Sequence, residues 1–283
     1  MVAPNDTLPN VVSMETLKLK AAIQSGRRPV IVYSHPKTAS RSIEQALQNV
    51  PEIAVFHTHV LRPLHFTSRF EPTTDILEGG MVQHSEPTQW PLLKRVVESS
   101  VEYSTISLAR DPVATTASWL YFGIQRWLRS WRKIDPALLS DDDWREVFTH
   151  HFPQRGAWTW WDYEFAHVTG VCPGADGFDA ERGWSSYDRG RLQSMIVSTH
   201  LKDHIKAEAL ETFLHVSVPE IERANQSHER AGRAQYDRVR RLLAQERSFR
   251  AEMLESAYAK LFFTAKQRSD FACRWDDMAG TKI

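Results

Sequence analysis

The chain has 283 residues, with 35 Lys and Arg against 35 Asp and Glu and a formal net charge of zero. This balance excludes a global basic field of the kind that recruits nucleic acid or an anionic membrane, and leaves only local basic grooves. A hydrophobic share of 42% can fill one large core, which suits a single α/β domain over residues 1–283. Cys172 and Cys273 lie far apart without metal or redox spacing, so they read as reduced thiols.

Residues 1–13 read as irregular, with neither the basic region nor the apolar core of a secretory signal. No uncharged apolar run approaches the ~18 residues of a membrane span. Together with the cysteine usage, this points to a cytoplasmic protein without a transmembrane segment. Ser13 to Gln24 predicts a short helix closed by Ser25-Gly26. Val30 to Tyr33 is an apolar, β-branched and aromatic run, the mark of a buried parallel strand. From Ser40 to Val50 the apolar residues Ile43, Ala46, Leu47 and Val50 have helical spacing, which ends before Pro51. Ile53 to Val60 is a second strand. Residues 61–80 are interrupted by proline and charge and read as loop, and Pro91 to Ser99 reads as helix.

Tyr103 to Ala109 predicts a third buried strand, and Val113 starts a helix running to about 133, with proline at a permitted N-terminal position. Trp119, Trp127 and Trp131 recur along it in multiples of four residues, beside Arg126, Arg129 and Arg132. Asp141 begins a helix with acidic residues in its first turn, as the dipole favours. His150 to Gly183 reads as loop-rich and aromatic, with a strand-like stretch at Trp158, Trp160 and Trp161. Gln193 to Thr199 predicts a later strand, Ile205 to Leu214 a helix, and Tyr236 to Tyr258 a long basic helix. Alternating strands and helices argue for a central parallel sheet flanked by helices. In such sheets ligands bind at the carboxyl ends of the strands.

Between the first strand and its helix lies Pro36-Lys-Thr-Ala-Ser-Arg-Ser42. A strand, tight turn and helix start aim free backbone N–H groups at one spot, where an anion is favoured. Lys37 adds a charge, and Ser40 and Ser42 add hydroxyl donors. The nucleotide triphosphatase string G-x-x-x-x-G-K-[ST] is absent.

The loop resembles the 5′-phosphosulfate loop of sulfotransferases that use 3′-phosphoadenosine 5′-phosphosulfate (PAPS), PK[ST]G[ST][ST]S, with Ala39 where glycine is common and Arg41 after Ser40. A second segment, Ile106-Ser-Leu-Ala-Arg-Asp-Pro112, resembles the strand of that family whose terminal arginine grips the 3′-phosphate. There a serine eight residues later completes the grip, a pair that falls here on Arg110 and Ser118. Further segments are similar to bacterial capsular-polysaccharide-synthesis proteins and the related carbohydrate sulfotransferases. They are Phe56 to Pro63, Trp161 to Phe165, Phe178 to Trp184, Asn225 to Ser227, Tyr236 and Tyr258 to Trp275. Where carbohydrate sulfotransferases often carry Arg-x-Glu-Asp-Leu after the late strand, this chain reads Ser198-Thr-His-Leu-Lys-Asp203.

The resemblance implies a P-loop-like sulfotransferase fold. A cofactor core would cover about 29–125, an acceptor-side insert about 126–190 and a helical part 203–283. It also implies transfer of a sulfuryl group from PAPS to a hydroxyl, leaving PAP and calling for no metal. Backbone amides of Thr38, Ala39, Ser40, Arg41 and Ser42 would then hold the 5′-phosphate, and Lys37 would counter charge on the bridging oxygen. His57 and His59 alternate on one strand and share a face. His59 is the first choice for the base and His57 the alternative, since histidine exchanges protons near neutral pH. His35 adjoins the loop and is a reserve candidate, placed on the substrate side. Trp127, Trp161 and Glu164 are acceptor-side candidates, because aromatic faces and carboxylates suit sugars. Core packing is the commoner fate of such tryptophans. A zinc site at His57, His59 and His65 lacks a further ligand. The acceptor class is a carbohydrate or glycoconjugate, with a small natural product or lipid headgroup as the alternative. An ATP-dependent kinase-like protein and a non-catalytic nucleotide-binding module are the competing classes.

Overall fold

Val30, Ile31, Val32 and Tyr33 are completely buried, and they form an inner strand of the sheet around which the chain is wound. The structure is a computed structural model, and its described residues are 14–59, 61, 90–121, 135–147, 149, 159–222 and 233–280. The five strands are β1 (Arg28–Tyr33), β2 (Ile53–Thr58), β3 (Tyr103–Ala109), β4 (Trp184–Arg189) and β5 (Leu192–Ser198), in the order β2-β1-β3-β5-β4. Pairing is parallel except at the β4 edge, which runs antiparallel to β5. The chain is therefore α/β with a mostly parallel central sheet flanked by helices.

Side-chain alternation along β1 feeds two cores, one on each face of the sheet. Ile31 and Tyr33 join Phe56, Val113 and the aromatic residues Trp160, Trp161 and Phe262. Val30 and Val32 join Ile43 and Leu47 from α2 (Ser40–Gln48), together with Leu210 and Phe213. The run at β3 is buried at every position, as a strand covered on both faces must be.

The expected first helix is present as α1 (Met14–Gln24), and the helix before β3 as α3 (Trp90–Glu98). After β3 comes α4 (Pro112–Trp119), which begins with Pro112 and is capped by Asp111, whose Oδ1 accepts from the amides of Val113 at 2.9 Å and Ala114 at 3.2 Å. The expected continuation toward residue 133, with Trp127, lies outside the described residues. Helix α5 (Asp141–Glu146) starts where its acidic first turn predicts, on a Ser140 capping box.

Two expectations need correction, and the structure adds a strand at 184–189, to which the sequence reading assigns nothing. Of the strand-like stretch at Trp158, Trp160 and Trp161, Trp158 lies outside the described residues, and Trp160 and Trp161 are helical and run into a π-helical turn, Trp161–Ala166. Trp160, Trp161 and Phe165 are all buried, and the helical turn brings them onto one core cluster. The segment 184–189 is a strand, β4. It is short and polar on its open side, and a two-residue turn with Gly190 at φ 72° joins it to β5.

The predicted helix 236–258 is three helices, α7 (Arg233–Gln245), α8 (Arg247–Leu254) and α9 (Ala257–Phe262), the last capped by Ser256. The breaks let successive amphipathic faces turn onto one core, burying Leu243, Phe249 and Phe262 in a single cluster. Helix α6 (Asp203–Leu214) precedes them, and α10 (Ala265–Gly280) closes the chain. Among the described residues no helix is long and apolar enough to cross a membrane.

Candidate functional site

The chain leaves β1 for β2 on one side and later crosses to β3 on the other. The crevice between the carboxyl ends of β1 and β3 is therefore a topological switch point, where ligands of open α/β sheets settle. The turn at β1, residues 34–39, is braced from behind. Thr38 Oγ1 donates to the His35 carbonyl at 2.7 Å and lies 2.6 Å from Ser34 Oγ, which also accepts from the Leu108 amide at 3.2 Å. Thr38 thus supports the turn from inside, and its side chain does not face the crevice. Lys37 at φ 68° and Ala39 at φ 65° both take left-handed backbone, which costs an L-residue about 1 kcal/mol or more. That conformation explains why glycine is the common choice at such a position.

In front of the turn lies a cavity of about 1050 Å3. Lys37, Ala39, Ser40, Arg41 and Ser42 form one wall, and Arg110 and Ser118 form another. Among the described residues seven Lys and Arg side chains line it against two Asp, in a chain whose formal net charge is zero. Positive charge is therefore concentrated at this crevice, and the opening suits a polyanion. Arg110 Nη1 donates to the Lys37 carbonyl, so the two wall segments touch. The Ser42 amide donates to the Ala39 carbonyl at 3.2 Å, which commits it to the turn.

The Arg110–Asp111 turn is held by the C-terminal helices. The Tyr258 hydroxyl accepts from the Arg110 amide and donates to the Arg110 carbonyl, both at 2.9 Å. Burial pushes the Tyr258 phenol well above its ordinary value, so it keeps the proton this double role requires. Asp111 Oδ2 accepts from Trp275 Nε1 at 3.1 Å and pairs with Arg274 at 3.3 Å.

Both strand histidines line the cavity, and their rings are 4.9 Å apart. His59 is buried, and its Nδ1 lies 2.5 Å from the Ser34 carbonyl. A carbonyl can only accept, so Nδ1 carries the proton and Nε2 is the basic nitrogen. The His59 carbonyl in turn accepts from Trp160 Nε1 at 2.8 Å, which fixes the strand end. His57 Nε2 lies 2.8 Å from Ser40 Oγ, and its Nδ1 lies 3.2 Å from Glu44 Oε2. Arg41 pairs with the same Glu44 oxygen at 2.8 Å. Those neighbours hold the Glu44 carboxyl below its usual range although burial opposes them.

The other sequence candidates lie elsewhere. His35 is buried behind the turn, edge-on to Trp119, with Nδ1 2.7 Å from the Pro36 carbonyl. Its pKa is lowered by burial to about 4, so it stays neutral. Trp161 is core, packed on Phe165 and Phe262. Glu164 is buried, and its Oε1 accepts from Tyr33 Oη at 2.8 Å and from the Leu61 amide. Neither Trp161 nor Glu164 lines the cavity, and Trp127 lies outside the described residues. The structure adds wall residues that sequence reading passed over: His200, Lys202 and Lys206 beyond β5, Arg240 on α7 and Arg274 on α10. The signal for them was faint: Lys202 lies in the segment where the chain departs from the Arg-x-Glu-Asp-Leu pattern, and Lys206 follows it four residues later, at helical spacing.

No family model, no curated protein and no solved structure matches the chain.

Proposed function

We propose that the chain is a PAPS-dependent sulfotransferase with a P-loop-like sulfotransferase fold, acting on a hydroxyl of a carbohydrate or glycoconjugate. The observation that carries this reading is the shared cavity. The Lys37 turn and the Arg110–Ser118 segment line one basic opening, as the two phosphate ends of a single nucleotide require. Arginine at one end suits bidentate contact with a phosphate dianion. The turn and helix start at the other end offer amides and Lys37 to a second anion.

The acceptor hydroxyl gives its proton to His59 Nε2 while its oxygen forms the new S–O bond. The S–O bond to the 5′-phosphate breaks, and its electron pair stays on the departing phosphate oxygen, where Lys37 counters the charge. The carbohydrate class rests on the sequence resemblance. Trp119, Trp144, Trp160 and Trp161, the described tryptophans of the aromatic-rich segment, are core residues and make no acceptor surface.

Scanning fluorimetry with PAP, ADP and ATP plus magnesium tests the nucleotide. PAP at 100 times its Kd stabilises by about 2.7 kcal/mol, a rise of several degrees in Tm. Stabilisation by ATP with magnesium alone assigns a kinase-like protein instead. Transfer of labelled sulfuryl from PAPS to a panel of oligosaccharides, lipids and small phenols then tests the chemistry and the acceptor class. PAP binding without transfer to any of them marks a non-catalytic module.

A further inference from the structure

Ser40, His57 and Glu44 form a hydrogen-bonded row whose end faces the cavity. Ser40 and Glu44 are one turn apart on α2, and His57 reaches them from β2. The Glu44 carboxylate can only accept, so His57 Nδ1 carries a proton. That leaves two ways to fill the 2.8 Å contact between His57 Nε2 and Ser40 Oγ. With a neutral imidazole, Nε2 accepts the Ser40 proton and the hydroxyl shows only lone pairs to the cavity, which repels an anion. With an imidazolium, Nε2–H donates to Oγ and the Ser40 proton is released to point at a ligand. An anion seated at Ser40 selects the second arrangement.

We propose that Glu44 and His57 are positioning residues that couple anion binding at the turn to uptake of one proton, turning Ser40 from an acceptor into a donor. The proposal rests on the reading that this turn takes a phosphoryl anion. The charged surroundings of His57 fit such a device. Glu44 faces it from α2 with Arg41 paired behind, His59 stands beside it just past the end of β2, and Lys37 and Arg110 line the same cavity. Among the described residues His57 is the partner of Ser40 Oγ, so nothing else sets the direction of the hydroxyl.

Calorimetry of PAP binding to the full chain tests this at pH 7.5, above the ordinary imidazole pKa of ~6.5. The titration is run in two buffers of different ionisation enthalpy, which counts protons. Wild type takes up protons with PAP beyond those the nucleotide itself exchanges. His57→Gln, which keeps a donor toward Ser40 but cannot titrate, gives the nucleotide's own count. The affinity of wild type falls with rising pH relative to His57→Gln, by up to about tenfold per pH unit. Glu44→Gln loses the excess uptake and binds PAP about tenfold more weakly, with the unliganded Tm little changed. A wild-type count equal to that of His57→Gln overturns the proposal, as does a Glu44→Gln protein that melts early yet keeps the excess uptake. If wild type does not bind PAP, the nucleotide reading fails, and inorganic pyrophosphate replaces PAP under the same criteria. A chain that binds neither anion overturns both.

Discussion

Arg110 Nη1 donates to the carbonyl oxygen of Lys37, so the residue that follows β3 reaches across to the turn that follows β1. The two segments are 73 residues apart in sequence, and the contact joins two walls of one cavity. The guanidinium is held in place before any anion arrives, which reduces the ordering cost of binding. Arg110→Lys keeps the charge but loses the planar fork. PAP affinity is expected to fall by about 10- to 100-fold, the equivalent of one charge-assisted bidentate contact. Calorimetric titration measures it, and an unchanged affinity removes Arg110 from the phosphate grip.

His59 is expected to act in turnover and hardly at all in nucleotide affinity. Its Nδ1–H is held by the Ser34 carbonyl, which leaves Nε2 as the basic nitrogen at the cavity wall. His59→Ala should lower kcat by ~10²-fold or more. PAP affinity, measured in parallel, should stay within a few-fold of wild type. Undiminished sulfuryl transfer in this variant would pass the role of base to His57.

Ala39 sits at φ 65° as the residue before α2. Ala39→Gly relieves a left-handed alanine but adds freedom to the unfolded chain, and the relief is the larger effect by up to about 1 kcal/mol. Chemical denaturation should therefore show a modest gain in stability, with PAP still bound. A loss of stability would mean that the turn is not strained at this residue.

Much of this arrangement was legible in the sequence, and the reasons are local. The β1 run is apolar from Val30 to Tyr33, and β3 mixes apolar residues with the small polar Ser104, Thr105 and Ser107; both are buried because both faces of the sheet are covered, and such runs stand out from a helix pattern. The turn at 36–42 and Arg110 were visible because proline, lysine and hydroxyl residues interrupt those runs abruptly. Glu164 and Trp161 were misleading for a physical reason. A buried carboxylate that satisfies Tyr33 and a main-chain amide looks in sequence like a ligand-binding group, and only its partners separate the two. Glu44 was passed over because a helical glutamate at i+3 from Arg41 reads as a surface pair, whereas its other neighbour comes from a different strand. The basic residues from α6, α7 and α10 meet only through tertiary packing.

The Tyr258 hydroxyl serves both backbone groups of Arg110, a contact 148 residues apart in sequence. Tyr258→Phe leaves an amide and a carbonyl without that partner, at a cost of about 1–3 kcal/mol. Since the lost contacts hold the turn that carries Arg110, PAP affinity should fall together with Tm. A variant that melts earlier but binds PAP as wild type does would show that the hydroxyl supports the fold without setting the Arg110 geometry.

His35 makes a prediction about acid stability. Burial lowers its pKa in the fold to about 4, against an ordinary value of ~6.5 in the unfolded chain. Above pH 6.5 both states hold it neutral and it adds no pH dependence. As pH falls from 6.5 toward 4 the unfolded chain binds a proton that the folded chain refuses, so stability drops on acidification. Across that window the loss amounts to about 3 kcal/mol. The ring lies edge-on to Trp119 at 5.2 Å between centroids, so an apolar replacement of similar size can occupy the site. His35→Leu should weaken the protein at pH 7.5, through the lost contact with the Pro36 carbonyl, and flatten the decline between pH 6.5 and 4. Urea titrations at several pH values give both slopes. Equal acid sensitivity in the two proteins would assign the decline to other groups.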